Sequence, residues 1–169
     1  MARLIVVSDS HLSERTPEAD QNWSAVLRHV DEARPDLVVH AGDLSLDGAH
    51  DPADLEFARA RLDRLGVPWR AVPGNHDVGD NPTPGHDPIT GHRRDRWLAA
   101  VGADRWTAEL GGWRLVGFNA QLLGSGLAAE ADQWDWLESQ LDGAGRVAVL
   151  LHKPITAAEI ELAAGPAYR

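Results

Sequence analysis

The chain contains no cysteine. That absence removes disulfides, thiolate zinc sites and cysteine nucleophiles together, and leaves histidine and carboxylate as the metal ligands on offer. Long apolar stretches are equally scarce. Runs such as residues 4–7 and 147–151 fall far short of the ~18 residues a membrane span needs, and no apolar segment of signal-peptide length follows Met1. A cytoplasmic protein with no membrane partner is therefore expected. Positive charge is also in deficit: 16 Lys+Arg against 26 Asp+Glu give a formal net charge of −10. Long nucleic acid is disfavoured as a partner on that ground, since its binders carry a basic face or stripe. A phosphate ester could still be a substrate, provided that something other than the net field of the protein supplies positive charge. No Gly-x-Gly-x-x-Gly follows the first strand pattern, which weakens a metal-free nucleotide-binding domain. What is present suits a single folded domain: 169 residues, 43% hydrophobic and 25% charged, close to the globular average and long enough to bury a core.

Apolar patterning orders the chain. Residues 3–9 predict a strand buried on both faces that ends in polar residues. Residues 22–33 place Trp23, Val26, Leu27 and Val30 at helical spacing before Pro35. Residues 36–43 predict a second buried strand running into Gly42-Asp43; residues 52–65 a helix with Leu55, Ala58, Leu62 and Leu65 on one face; residues 67–72 a third strand running into Gly74-Asn75-His76-Asp77. This alternation implies parallel strands with helical crossovers. Residues 79–92, rich in proline and glycine, predict a loop of functional length. Beyond it come a short helix over 93–101 with Trp97 and Leu98 inward, a hairpin of 106–110 and 113–119 around Gly111-Gly112, a helix over 130–141 packing Trp134, Leu137 and Leu141, and another buried strand over 146–152.

Four strands thus end in candidate ligands: Asp9 and His11, then Asp43, then Asn75 and His76, and finally His152. In an open parallel sheet, groups at the carboxyl ends of strands converge on one edge. Carboxylate, imidazole and amide together suit zinc, manganese or iron rather than calcium or copper(I), and two metals can share a bridging carboxylate. Each residue has a plainer reading as a turn or cap; it is the combination that carries weight. His40 lies within a strand and reads as a core group. His50, His86 and His92 lie in loops that could flank the site.

The order Asp9-x-His11, Gly42-Asp43, Gly74-Asn75-His76-Asp77 and Leu150-Leu-His152-Lys-Pro154 resembles the calcineurin-like metallophosphoesterases, in particular their bacterial cyclic-nucleotide and glycerophosphodiester phosphodiesterase branch. The resemblance implies an α/β fold, a four-layer αββα sandwich, around a dinuclear site. Carried over by position, Asp9 and His11 would hold one metal, Asp43 would bridge, and Asn75 and His152 would hold the other, with manganese, iron or zinc as candidates. His76 would face the phosphate and serve the leaving oxygen, with Asp77 orienting its ring, and Asn119 is a weaker substrate-binding candidate. The implied reaction is hydrolysis of a small phosphodiester, or less readily a phosphomonoester, by a metal-activated hydroxide.

One departure matters. The family closes its site with a Gly-His-x-His motif that supplies each metal with a further histidine, and the last histidine here is His152. The expectation is therefore a single domain over residues 1–169, C-terminally truncated, with an incomplete second sheet. Two alternatives stand beside that one: a partner subunit, including a homo-oligomer, completes the open edge, or the short form is native. The rival function is a non-catalytic family member that binds at most one metal and serves as a binding or interaction module.

Overall fold

In the computed structural model, which describes residues 2–82 and 84–153, the first half of the chain winds into β1 (Leu4–Val7), α1 (Pro17–Ala33), β2 (Leu37–His40), α2 (Pro52–Leu62) and β3 (Trp69–Ala71). The three strands form a parallel sheet in the order β1-β2-β3, with Leu4 opposite Leu37 and Val38 opposite Trp69. Helix α1 starts earlier than the apolar spacing predicts, because Pro17 opens its first turn and Glu18 and Asp20 follow there, where a fixed φ and negative charge both favour a helix N-terminus. Asp51 caps α2 by accepting from the Ala53 N–H. A one-turn helix α3 (Asn75–Val78) follows β3, and α4 (Gly91–Ala100) lies beyond the loop with Trp97 buried beneath it.

The second sheet is mixed. Strands β4 (Trp106–Leu110) and β5 (Trp113–Gly117) pair antiparallel as a hairpin, and after α5 (Ala128–Leu141) strand β6 (Arg146–Leu150) returns parallel to β5. Alternation along the central strands builds the layers. Val38 on β2 packs into a core with Trp23 and Val30 of α1, Leu55 and Leu62 of α2 and Trp97 of α4. Its neighbours Leu37 and Val39 point the other way and meet Val72, Trp106 and Leu115 between the two sheets. On β5, Leu115 joins that inner layer while Val116 packs outward with Phe118 against Leu137 of α5. Helices, sheet, sheet and helix make the four-layer αββα sandwich. The indole N–H of Trp106 donates to the Ala71 carbonyl at 2.7 Å and pins the two sheets together through an otherwise apolar layer.

Two strands differ from expectation. Among the strands of the described residues, only β2 is buried along its whole length. β1 leaves Leu4 36% and Val6 50% exposed, and β6 leaves Val149 40% exposed, because each lies at a sheet edge with one partner among the described residues. The packed face of α5 is also rotated from the predicted one. Leu137 and Gln133 are buried, whereas Trp134 and Leu141 stand exposed. No helix among the described residues is long and apolar enough to cross a membrane. The expected features of residues 154–169 lie outside the described residues.

Candidate metal centre

Beyond β1 and β2 the chain does not turn away at once. Asp9 N–H donates to Gly42 O at 3.0 Å, His11 N–H to Asp43 O at 3.1 Å and Leu12 N–H to Leu44 O at 2.9 Å, so the two loops run side by side past the strand ends. Asp9, His11 and Asp43 hold φ values of 56°, 44° and 51°. Left-handed backbone is uncommon outside glycine, and its clustering at one place marks strain that the surrounding structure enforces. Two glycines allow the approach. Gly42, at φ 101°, has the His152 ring where a Cβ would stand, and a Cβ on Gly74 would overlap the Asp43 carboxylate. Close contact thus requires both glycines, and at Gly42 the left-handed backbone requires it as well.

Asp43 is the hub. Its buried carboxylate accepts from the His76 backbone N–H at 2.9 Å on one oxygen, and the other oxygen lies 3.3 Å from His152 Nε2 and 3.9 Å from His11 Nε2. His152 reaches it from the end of β6, in the second sheet. The convergence therefore occurs at the seam between sheets, where a single-sheet reading would place it on one edge. Ring nitrogens are assigned by their partners. His152 Nδ1–H donates to the Ala41 carbonyl at 3.0 Å and His76 Nδ1–H to the Leu46 carbonyl at 2.6 Å, so both rings turn Nε2 toward the site. A backbone carbonyl on one nitrogen is how a metal-ligating imidazole is commonly oriented. Burial works to raise the Asp43 carboxyl, but hydrogen bonds from His152 and His76 hold it below the ordinary carboxylate range. For His152, burial disfavours the proton and Asp43 more than restores it, so the ring titrates above its ordinary value.

Two groups of ligand atoms share Asp43: His11 with Asp43 and His76, and Asp9 with Asp43 and His152, each set lying within 4.8 Å of one another. Nitrogen and oxygen donors around a common carboxylate fit divalent metal ions. His11 Nδ1 is buried without a hydrogen-bond partner, and the His11 and His76 rings meet edge to face at 4.5 Å. The His76 ring thus shares the 4.8 Å group with Asp43 and His11, farther from the Asp43 carboxylate than His152 or His11, while also lining a cleft of about 170 Å³ with Asn75.

Asp77 and Asn119 lie elsewhere than expected. Asp77 is wholly buried and does not reach the His76 ring, whose Nδ1 is taken by Leu46. Its carboxylate instead accepts from Leu44 N, Ser45 N, Ser45 Oγ and Gly74 N at 2.7 to 3.1 Å, tying the loop after β2 to the loop after β3. Asn119, expected to touch substrate, is 0% exposed. Its amide donates to Asp104 at 3.0 Å and accepts from Gln121 N–H at 3.1 Å, and Gln133 grips its backbone at both N–H and carbonyl. With every polar group engaged inside the core, Asn119 is a structural residue at the top of β5.

Sequence reasoning left several supporting residues unassigned. His40, read as core, is fully buried and bonds Ser10 Oγ at 2.9 Å, and Ser10 in turn donates to the Leu44 carbonyl at 3.1 Å. That chain fixes the residue between Asp9 and His11. Burial depresses the His40 pKa to about 3, so the ring is neutral. Lys153, the sole lysine of the chain, bonds the carboxylate of Asp80, which also takes His86 Nδ1 at 2.7 Å. The placement of Lys153 directly after His152 was the one signal that could have pointed to it.

A sequence profile described as calcineurin-like phosphoesterase matches residues 2–168. The chain is 30% identical over 145 residues to a probable cyclic nucleotide phosphodiesterase of Synechococcus sp., covering 83% of this chain and 49% of that protein. It is 25% identical over 165 residues to a probable glycerophosphodiester phosphodiesterase GpdQ of Arcobacter nitrofigilis, covering 90% and 57%. It therefore spans about half the length of these curated relatives. Among solved structures, a dimetal phosphatase from Danio rerio superposes with a TM-score of 0.55 at 15% identity, over 82% of this chain and 52% of that one, a likeness of fold. The profile match over nearly every residue, on a sandwich whose strand ends converge at Asp43, means that the chain belongs to the calcineurin-like phosphoesterase family.

Proposed function

We propose that this chain carries the site of a metal-dependent phosphoesterase that hydrolyses a small phosphodiester. Asp9, His11, Asp43, Asn75 and His152 would hold two transition-metal ions, manganese, iron or zinc, with Asp43 between them. The observation behind this reading is the sharing of one buried carboxylate by two sets of ligand atoms. The names of the Synechococcus and Arcobacter relatives, both phosphodiesterases, and the dimetal phosphatase of similar fold agree with it.

Metal ions bound there would neutralise phosphate oxygens and lower the pKa of an attacking water, which an acidic protein of net charge −10 could not do through its own field. The residues supply the rest. His76, with Nδ1–H given to Leu46, has Nε2 free to carry a proton to the leaving oxygen. Asp77 keeps the two ligand-bearing loops in register, and the Ser10–His40 pair fixes the backbone between Asp9 and His11. A cytoplasmic location, with neither membrane nor long nucleic acid as partner, is proposed alongside it on composition and charge alone. The test is metal analysis of the purified chain together with hydrolysis of an activated aryl phosphodiester with and without manganese. Two metals per chain and turnover lost in Asp43→Ala are expected; at most one metal and no turnover in any metal would favour a binding module.

A further inference from the structure

The strand that delivers His152 loses its ladder before it reaches the centre. Phe118 N–H donates to the Leu150 carbonyl at 3.0 Å, β6 ends at Leu150, and no hydrogen bond holds the main chain of residues 151–153 among the described residues. The chain is anchored across the seam by two side chains instead. His152 lays its ring against Gly42, gives Nδ1–H to Ala41 and turns Nε2 to Asp43. Lys153 bonds the Asp80 carboxylate, 73 residues away in sequence and just beyond α3. A single anchor leaves the chain behind it free to pivot, whereas two on consecutive residues fix the backbone that aims the imidazole.

Asp80 is itself held firmly. Its buried carboxylate also accepts from the Asn81 N–H and takes His86 Nδ1, each at 2.7 Å. Its main chain is clamped on both sides, the N–H donating to the Asp87 carbonyl and the carbonyl accepting from the Ile89 N–H, again at 2.7 Å. The carboxylate is therefore a fixed point against which Lys153 is placed. Asn81 crosses the same seam, donating from Nδ2 to the Ala120 and Leu123 carbonyls at 2.8 Å, just beyond β5. Asp80 and Asn81 thus bracket the ends of β5 and β6 from the first-sheet side, a few residues after Asn75 and His76. Desolvation of a buried carboxylate offsets much of its attraction to a cation, so stability alone is a weak account of the pair, and placement of the neighbouring residue is a better one.

We propose that Lys153, through Asp80, is a positioning residue for His152: their ion pair sets where the second sheet presents its imidazole to Asp43. The inference rests on the reading of Asp43 and His152 as metal ligands and deepens it. The test is equilibrium dialysis of the full chain against manganese, in the wild type, His152→Ala, Lys153→Met, Lys153→Arg and Asp80→Asn, with urea denaturation of each to establish that it folds. His152→Ala identifies the manganese that depends on the imidazole. Lys153→Met keeps the apolar stem and removes the charge; it is expected to weaken that ion about 10-fold, the lower end of what a lost support behind a metal ligand costs, and to leave any other manganese unchanged. Asp80→Asn leaves no buried carboxylate stranded, so it decides the matter if Lys153→Met does not fold, and the same selective weakening is expected. Lys153→Arg keeps a cation within reach of Asp80 and should bind as the wild type does. If Lys153→Met and Asp80→Asn lower the urea midpoint yet bind manganese as the wild type does, or weaken every manganese equally, the positioning role falls and the metal centre stands. If His152→Ala loses no manganese, the reading of His152 as a ligand falls, and the proposal with it.

Discussion

Replacing Asp77 by asparagine should cost this fold more than any other single-atom change near the site. The carboxylate accepts four hydrogen bonds, from Ser45 N and Ser45 Oγ on one oxygen and from Leu44 N and Gly74 N on the other. An asparagine side chain keeps one oxygen and two of those bonds. Its NH₂ then confronts Ser45 N–H, donor against donor, while the Ser45 hydroxyl can rotate to accept. One charge-assisted bond is lost, at about 1.5–3 kcal/mol, and one buried N–H is stranded, at about 1–3 kcal/mol. A total on the order of 3–5 kcal/mol is a large share of the ~5–15 kcal/mol that holds a domain together. For a chain of this size it corresponds to a fall in Tm of roughly 6–20 °C. Urea denaturation followed by tryptophan fluorescence reads it directly, since Trp23, Trp97 and Trp106 are buried and report on both cores. The same loops position Asp43, so manganese affinity should drop alongside stability. An Asp77→Asn protein within about 0.5 kcal/mol of the wild type, with unchanged manganese affinity, would refute the claim that this carboxylate ties the loops together.

Other expectations follow from single contacts. His40 has a folded pKa of about 3 against an ordinary value of 6.5, so the unfolded chain binds more protons between those values. Its stabilising effect is complete above pH 6.5 and is lost as pH falls toward 3, with a slope approaching about 1.4 kcal/mol per pH unit; urea midpoints between pH 6 and 4 should fall more steeply for the wild type than for His40→Gln, and equal slopes would count against it. Gly74→Ala drives a methyl into Asp43 and should abolish tight manganese binding in calorimetry, whereas Gly91→Ala, with open space around it at the start of α4, should leave binding unchanged and stabilise by up to about 1 kcal/mol. Gln133→Leu strands the buried Asn119 N–H and leaves its carbonyl with the Leu122 N–H alone, and should cost about 1–3 kcal/mol in the same urea assay, with little change in metal affinity.

The convergence of Asp9, His11, Asp43, His76 and His152 was legible because these residues sit at strand ends, and strand ends are marked by the abrupt passage from apolar runs to Asp, Asn and His. Pattern also located the parallel half of the fold, where β2 is buried on both faces and reads as an unbroken apolar run. It misjudged β1 and β6, since composition says that a strand is apolar but not whether a neighbour covers it; Val6 and Val149 are exposed for want of one among the described residues. The α5 face was misread because Gln133 is buried for the sake of two hydrogen bonds to Asn119, a polar contact invisible to apolar periodicity. Asp77 was assigned to the wrong neighbour for a related reason. Adjacency to His76 suggested a partner in sequence, whereas three of its four donors come from the loop after β2, about thirty residues away, and the fourth from Gly74.

The reach of His152 has a consequence for the order in which the molecule assembles. Its bond to Ala41 closes a sequence separation of 111 residues, while the contacts among Asp9, His11, Asp43 and His76 lie within the first half of the chain. At about 5–20 residues per second of synthesis, the first sheet can wind its βαβ units seconds before β6 leaves the ribosome. Until then Asp43 lacks the His152 Nε2 that lies 3.3 Å from its second oxygen in the finished fold. Docking of the second sheet delivers that imidazole. Slow, non-local closure of this kind is where folding rates are set, so the residues that finish the centre are also those on which maturation of the whole domain waits.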